Sequence, residues 1–116
     1  MKTQITLTID KVEFSIETLD EHLPVRGNLI VSGDDKFDRI QENKVIGRLN
    51  RGDRWAWCLV RVVARFRGLE GQAFLGGCSY RNEQDFIDGG YFDDMKREAF
   101  DDLMNQVQDI VDGATE

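Results

Sequence analysis

The chain reads as an α+β protein, an antiparallel sheet of four to five strands with two helices packed on one face, in the order β(β)βαββα. Three observations predict this. Two-residue alternation of apolar and polar residues marks the first and middle parts of the chain. A strongly amphipathic helical pattern fills residues 91–112. The runs follow one another as strands, helix, two strands, helix, the grouping expected of helices lying on an antiparallel sheet. At 116 residues, 41% of them apolar and 32% charged, residues 1–116 make one domain's worth of ordinary globular sequence.

Residues 3–18 alternate strictly but slip phase. Ile5, Leu7 and Ile9 share one parity, and Val12, Phe14 and Ile16 the other. The slip at Asp10-Lys11 marks either a hairpin turn or a bulge in one bent strand, and Asp-Lys is not a favoured turn pair. Leu19 to Pro24 reads as a loop, and Val25 to Ser32 as a strand with Leu29 and Val31 inward. Ser32-Gly33-Asp34-Asp35 resembles a capping box opening a helix. That helix is poorly phased, with Phe37 and Ile40 on a different side from Val45, Ile46 and Leu49. It should bend near Asn43 and stop at a left-handed cap in Asn50-Arg51-Gly52.

Trp55 to Phe66 carries an unbroken apolar face at even positions. Its odd positions begin apolar and turn basic at Arg61 and Arg65, followed by Arg67, which marks a central strand. Gly68 to Gly71 should make the hairpin into a strand over Gln72 to Tyr80. Gly76-Gly77 inside that strand signals a bulge or the close approach of another backbone. After a polar link holding Gly89-Gly90, the last helix gathers Phe92, Met95, Ala99, Phe100, Leu103, Met104, Val107, Ile110 and Val111 on one side. Asp94, Glu98, Asp101, Asp102, Asn105, Asp109 and Asp112 fill the other.

Charge is distributed unevenly. Residues 83–116 hold 11 acidic and 2 basic residues, whereas the 82 before them hold 11 and 13. The first part is therefore +2 and the last −9, which together give the chain's −7. Such density is tolerated on a solvated face or against a cationic partner. Asp94, Glu98, Asp101, Asp102, Asp109 and Asp112 are accordingly the candidate partner-binding residues, and a protein with a basic surface, one that handles nucleic acid, is the expected partner.

A second, basic surface collects Lys44, Arg48, Arg51, Arg54, Arg61, Arg65 and Arg67 near Trp55 and Trp57. The arginine stems are expected to cover the sheet and pair with carboxylates of the last helix, and the tryptophans to be core. With a pI near 4.7, direct nucleic-acid binding is not expected.

Chemistry-bearing motifs are missing from the pattern. The one histidine, His22, and two cysteines have no zinc-ligand spacing, and Asp85 to Gly90 lacks the alternating carboxylates of a calcium loop. Cys58 and Cys78 read as buried thiols. Arg51-Gly52-Asp53 spells an integrin tripeptide but reads as a helix stop. No catalytic, cofactor or metal site is implied. The opening Met1-Lys2-Thr3-Gln4 lacks an apolar signal region, and no apolar run nears the roughly 20 residues of a membrane span. The expected compartment is the cytoplasm.

Trp55-Ala56-Trp57-Cys58, Leu75-Gly76-Gly77-Cys78-Ser79-Tyr80 and Tyr91-Phe92-Asp93-Asp94-Met95, taken as an ordered set, resemble small uncharacterised proteins of bacteriophages and prophages over about residues 55–104. The resemblance carries no activity and gives no residue a role. It implies a setting, action inside a host cell, where small phage proteins without catalytic sites resemble inhibitors of restriction or CRISPR systems. The alternative is a self-associating structural or accessory phage protein, a homodimer formed through the sheet edge or the Trp55/Trp57 region.

Overall fold

In the computed structural model, which describes residues 7–115, the alternating N-terminal run becomes strand β1 (Glu13–Leu19). The phase slip is a single 3-10 turn, Ile9–Lys11, closed by the Lys11 and Val12 amides on the Thr8 and Ile9 carbonyls at 3.0 and 3.3 Å. Among the described residues it is thus neither bulge nor hairpin, and the part of the run before Leu7 lies outside them. The predicted strand Val25 to Ser32 is instead a loop. The Val25 carbonyl accepts both the Asn28 and Leu29 amides at 3.1 Å, Gly27 takes φ +82, and Val31 is 83% exposed. Asn and Gly supply turn chemistry that outweighs a short apolar alternation.

Helix α1 (Asp35–Asn50) runs without the expected break at Asn43. Its cap is Asp34, whose carboxylate accepts the Lys36 and Phe37 amides at 3.1 and 3.2 Å, so the capping residue lies two positions beyond the expected Ser32. Ser32 still contributes, its hydroxyl donating to Asp38 at 2.6 Å. The C-terminal cap is as expected. Gly52 at φ +88 returns its amide to Leu49, and Asp53 returns its own to Arg48, the paired bonds of a Schellman motif.

A 3-10 turn, Arg54–Ala56, leads into β2 (Cys58–Phe66), which starts three residues later than expected. β3 (Leu69–Cys78) follows through a two-residue turn at Arg67-Gly68, both with positive φ, rather than through Gly68 to Gly71. Glycine is the natural second residue of such a turn, whose twist matches that of the strands. A short helix, α2 (Glu83–Asp88), occupies what reads as a polar link, and α3 (Tyr91–Thr115) completes the chain.

Among the described residues the sheet therefore has three strands, ordered β1-β2-β3 and antiparallel throughout, where four or five were expected, and there are three helices where two were expected. β2 is central, as its apolar face predicted. The Gly76-Gly77 bulge is present: these two residues stand opposite Leu59, between the pairs Cys58↔Cys78 and Val60↔Leu75. The close backbone approach falls elsewhere, at Gly71. A methyl group there would strike the Ala99 carbonyl and the Leu103 amide of α3.

One core lies between α3 and the sheet, where Val60, Val62, Ala64, Phe86, Ala99 and Leu103 are fully enclosed. α1 does not join it, contrary to expectation. It packs on the Arg54–Ala56 turn and the 21–30 loop, and forms a second cluster of Val25, Val45, Ala56 and Trp57 with Leu29, Ile46 and Leu49. Setting this cluster beyond the sheet's end makes the molecule long, 64 × 23 × 21 Å. Its radius of gyration is 18.5 Å, against about 13 Å for a compact domain of this size.

Candidate functional site

The amphipathic pattern of α3 fixes which residues face outward. Met95, Ala99 and Leu103 bury against β2 and β3, so residues half a turn away must meet solvent. Asp94, Glu98, Asp101 and Asp109 are exposed and make no hydrogen bond or ion pair with other described residues. Asp112, also exposed, accepts Gln108 Nε2 at 2.8 Å. Asp93 pairs with Lys96 Nζ at 3.2 Å, and that ammonium lies 4.6 Å from the centre of the Phe92 ring.

Asp102 is placed differently. It is half-buried, and its carboxylate accepts the Gln72 amide of β3 at 2.9 Å. Four residues on, Gln106 Nε2 donates to the Glu70 carbonyl at 2.6 Å. These two side chains dress the outer edge of β3 with the partners its backbone otherwise lacks. The i, i+4 spacing along α3 and the i, i+2 spacing along β3 bring both pairs into register. Of the six candidate residues, five therefore face outward, and Asp102 turns to the sheet.

The charge density is modest. α3 spans about 37 Å at 1.5 Å per residue and carries seven carboxylates against Lys96 and Arg97, a net of −5. One charge per about 7 Å is well below the one per about 1.7 Å of duplex DNA. The face is a sparse line of carboxylates, not a copy of a nucleic-acid backbone.

Four of the seven basic residues, Arg48, Arg54, Arg61 and Arg65, are paired with carboxylates, none of them on α3. Glu17 of β1 meets Arg61 at 2.9 Å and Arg65 at 3.5 Å, and Glu70 of β3 meets Arg65 Nε at 2.9 Å. This network lies across the sheet face opposite α3, which corrects the expected pairing with the last helix. Odd positions of β2 point away from α3, so cross-strand neighbours are their nearest partners. Arg67 sits in the turn, 5.4 Å from the Phe66 ring centre. Arg48 donates to Asp53 at 2.8 Å and to the Tyr80 carbonyl at 2.6 Å, which ties α1 to the end of β3.

The segments around Trp55, Tyr80 and Phe92 come together at that end. Trp55, Tyr80, Phe86 and Phe92 stack in sequence with centroids 5.3 to 6.3 Å apart, and the Tyr80 amide donates to the Trp55 carbonyl at 2.8 Å. Trp57 is buried in the second cluster and donates Nε1 to the Leu23 carbonyl at 2.7 Å. Both tryptophans serve packing. Cys58 and Cys78 face each other across the ladder as free, buried thiols. Burial pushes them up to about 12 and about 11, so neither is a nucleophile near neutral pH. Beside them Leu29, Gly76, Gly77, Ser79, Tyr80 and Tyr91 line an open groove of about 340 Å³ that holds no charged side chain.

No family model, curated protein or solved structure matches the chain. Among the described residues no helix is long and apolar enough to cross a membrane. Among the described residues no group of three His, Cys, Asp or Glu side chains is gathered as a metal site.

Proposed function

We propose that the protein is a non-enzymatic binding protein, and that the outward carboxylates of α3 dock a host protein with a basic surface, one that defends the cell or handles nucleic acid. The supporting observation is the contrast among carboxylates. Asp34, Asp38, Glu42, Asp53, Asp85 and Asp102 are tied into caps, pairs or edge contacts, whereas Asp94, Glu98, Asp101 and Asp109 make no such bond with other described residues. Folding does not use this line of charge, so it is free to be used by a partner.

In such a complex the cluster steers encounter and selects the partner more than it sets raw affinity. The resemblance to phage proteins supports a setting inside an infected cell, and inhibition of a restriction or CRISPR complex is the form of binding that fits that setting. The test is the salt dependence of capture. Tagged protein is loaded with nuclease-treated host lysate and washed at rising ionic strength. A stoichiometric partner released by a few hundred millimolar salt supports electrostatic docking. A partner held equally well at high and low salt contradicts it.

A further inference from the structure

The two edges of the sheet are treated differently. The outer edge of β3 is dressed by Asp102 on the Gln72 amide and by Gln106 on the Glu70 carbonyl. Those contacts also settle the ladder. If Glu70 and Gln72 point outward, then Gly71 and Ala73 bond to Ala64 and Val62, and the odd residues of β2 bond to β1. On β1, then, Ser15 and Glu17 turn their backbone groups to β2, while Phe14, Ile16 and Thr18 turn theirs outward. Arg54 confirms the sense, since its guanidinium reaches over the edge to the Thr18 carbonyl at 3.2 Å. The Phe14 and Ile16 amides and carbonyls meet no partner on that side among the described residues.

The seven residues of β1, Glu-Phe-Ser-Ile-Glu-Thr-Leu, hold no Pro, Lys or bulge. Of the two charged ones Glu17 is paired with Arg61 and Arg65 of β2, which leaves Glu13 as the one unpaired charge on this edge among the described residues. α3 packs over β3 and β2 rather than β1, which leaves Phe14 and Ile16 half-buried at the open side of the core.

We propose that this edge is a homodimer interface, at which β1 pairs antiparallel with β1 of a second copy to make a continuous six-stranded sheet. The strand is complementary to itself in the centred register. Ile16 falls on Ile16 across the two-fold axis, Phe14 opposite Thr18, Ser15 opposite Glu17 and Glu13 opposite Leu19, so no like charges are directly opposed. Glu13, at the open end of the strand, comes near the Arg54 that meets Asp20 and the Thr18 carbonyl of the second copy. On the α3 side the two helices flank a trough closed by both copies of Phe14 and Ile16.

The experiment is the mass of the full chain by light scattering from low to high micromolar concentration. The expected result is twice the chain mass, falling to the monomer for Ile16→Pro. Proline there removes an outward amide and leaves the β2 ladder intact, which an edge strand tolerates. Ile16→Cys gives a second readout. In the centred register the two residues stand about 5.5 Å apart, within disulfide reach, so air oxidation should yield a covalent dimer on a non-reducing gel. The Asp94, Asp101 and Asp109→Lys triple variant should keep the doubled mass, which separates this interface from the acidic docking face. A monomer at every concentration overturns the proposal. So does a full chain that becomes dimeric only when residues 1–6 are deleted, because the edge would then belong to its own N-terminal segment.

Discussion

Helices α1 and α3 present opposite solutions to the same problem. α3 packs on a sheet, a flat and regular surface, and needs one continuous apolar stripe. Met95, Ala99 and Leu103 supply it at four-residue spacing and are 4% exposed or less. α1 packs on a loop and a single 3-10 turn, an irregular surface, and its apolar residues are split. Val45 is buried, Ile46 and Leu49 are half-buried, and Phe37 and Ile40 remain 43% and 45% exposed. A helix that faces a sheet announces itself by its period. One that faces a loop is held by caps and a few polar ties, such as Glu42 accepting the Gly27 amide at 2.8 Å and Arg26 at 3.3 Å.

The comparison breaks most readily in the two cores. Leu103→Ala, fully enclosed under α3, should cost about 2–5 kcal/mol in urea unfolding. Val45→Ala under α1, 8% exposed, should cost about 1.5 kcal/mol, two methyl groups at about 0.8 kcal/mol each. Equal losses would mean that the loop-packed cluster is as tightly built as the sheet core. Gly71→Ala should cost about 1–3 kcal/mol or more, because the atoms in its way are α3 backbone rather than a side chain that can move. A neutral result would show that α3 can slide on the sheet.

Smaller effects sharpen the α1 side. Asp34→Ala should lower stability by about 1 kcal/mol, since two α1 amides lose their acceptor. Glu21 ties the loop under α1 to the β3 bulge by accepting the Leu23 amide at 3.0 Å and the Gly77 amide at 2.8 Å. Those bonds, the Leu23 amide foremost, hold its carboxyl below the usual 4.5. A depressed carboxyl contributes fully above its unfolded value and loses the contribution as pH falls through its folded value. The melting-temperature advantage of the wild type over Glu21→Gln should therefore be present at neutral pH and shrink below pH 4.5. A constant difference between pH 7 and pH 3 would remove Glu21 from the account.

The same contrast explains what the sequence showed. β2, the hairpin partner strand, the Gly76-Gly77 bulge, the Gly52 cap and α3 were legible, because each follows from a local period or from one residue's conformational freedom. Val25 to Ser32 misled, because an apolar alternation of four pairs weighs less than a turn at Gly27-Asn28. α2 was missed although Asn82 and Asp85 marked it: the Asn82 side chain accepts the Asp85 amide at 2.9 Å. The outward position of Asp94, Glu98, Asp101 and Asp109 follows from the wheel alone. That Asp102 serves the β3 edge does not, since it depends on how the helix is set against the strand.

The central claim is that the carboxylate line on α3 binds and does not fold. Its most direct test is an Asp94, Asp101 and Asp109→Lys triple variant, compared with wild type in melting temperature and in capture of protein from nuclease-treated host lysate. The expected result is a stability change within about 0.5 kcal/mol per site, together with loss of a partner that the wild type retains at stoichiometric level. A triple variant that captures the same partner as well as the wild type contradicts it.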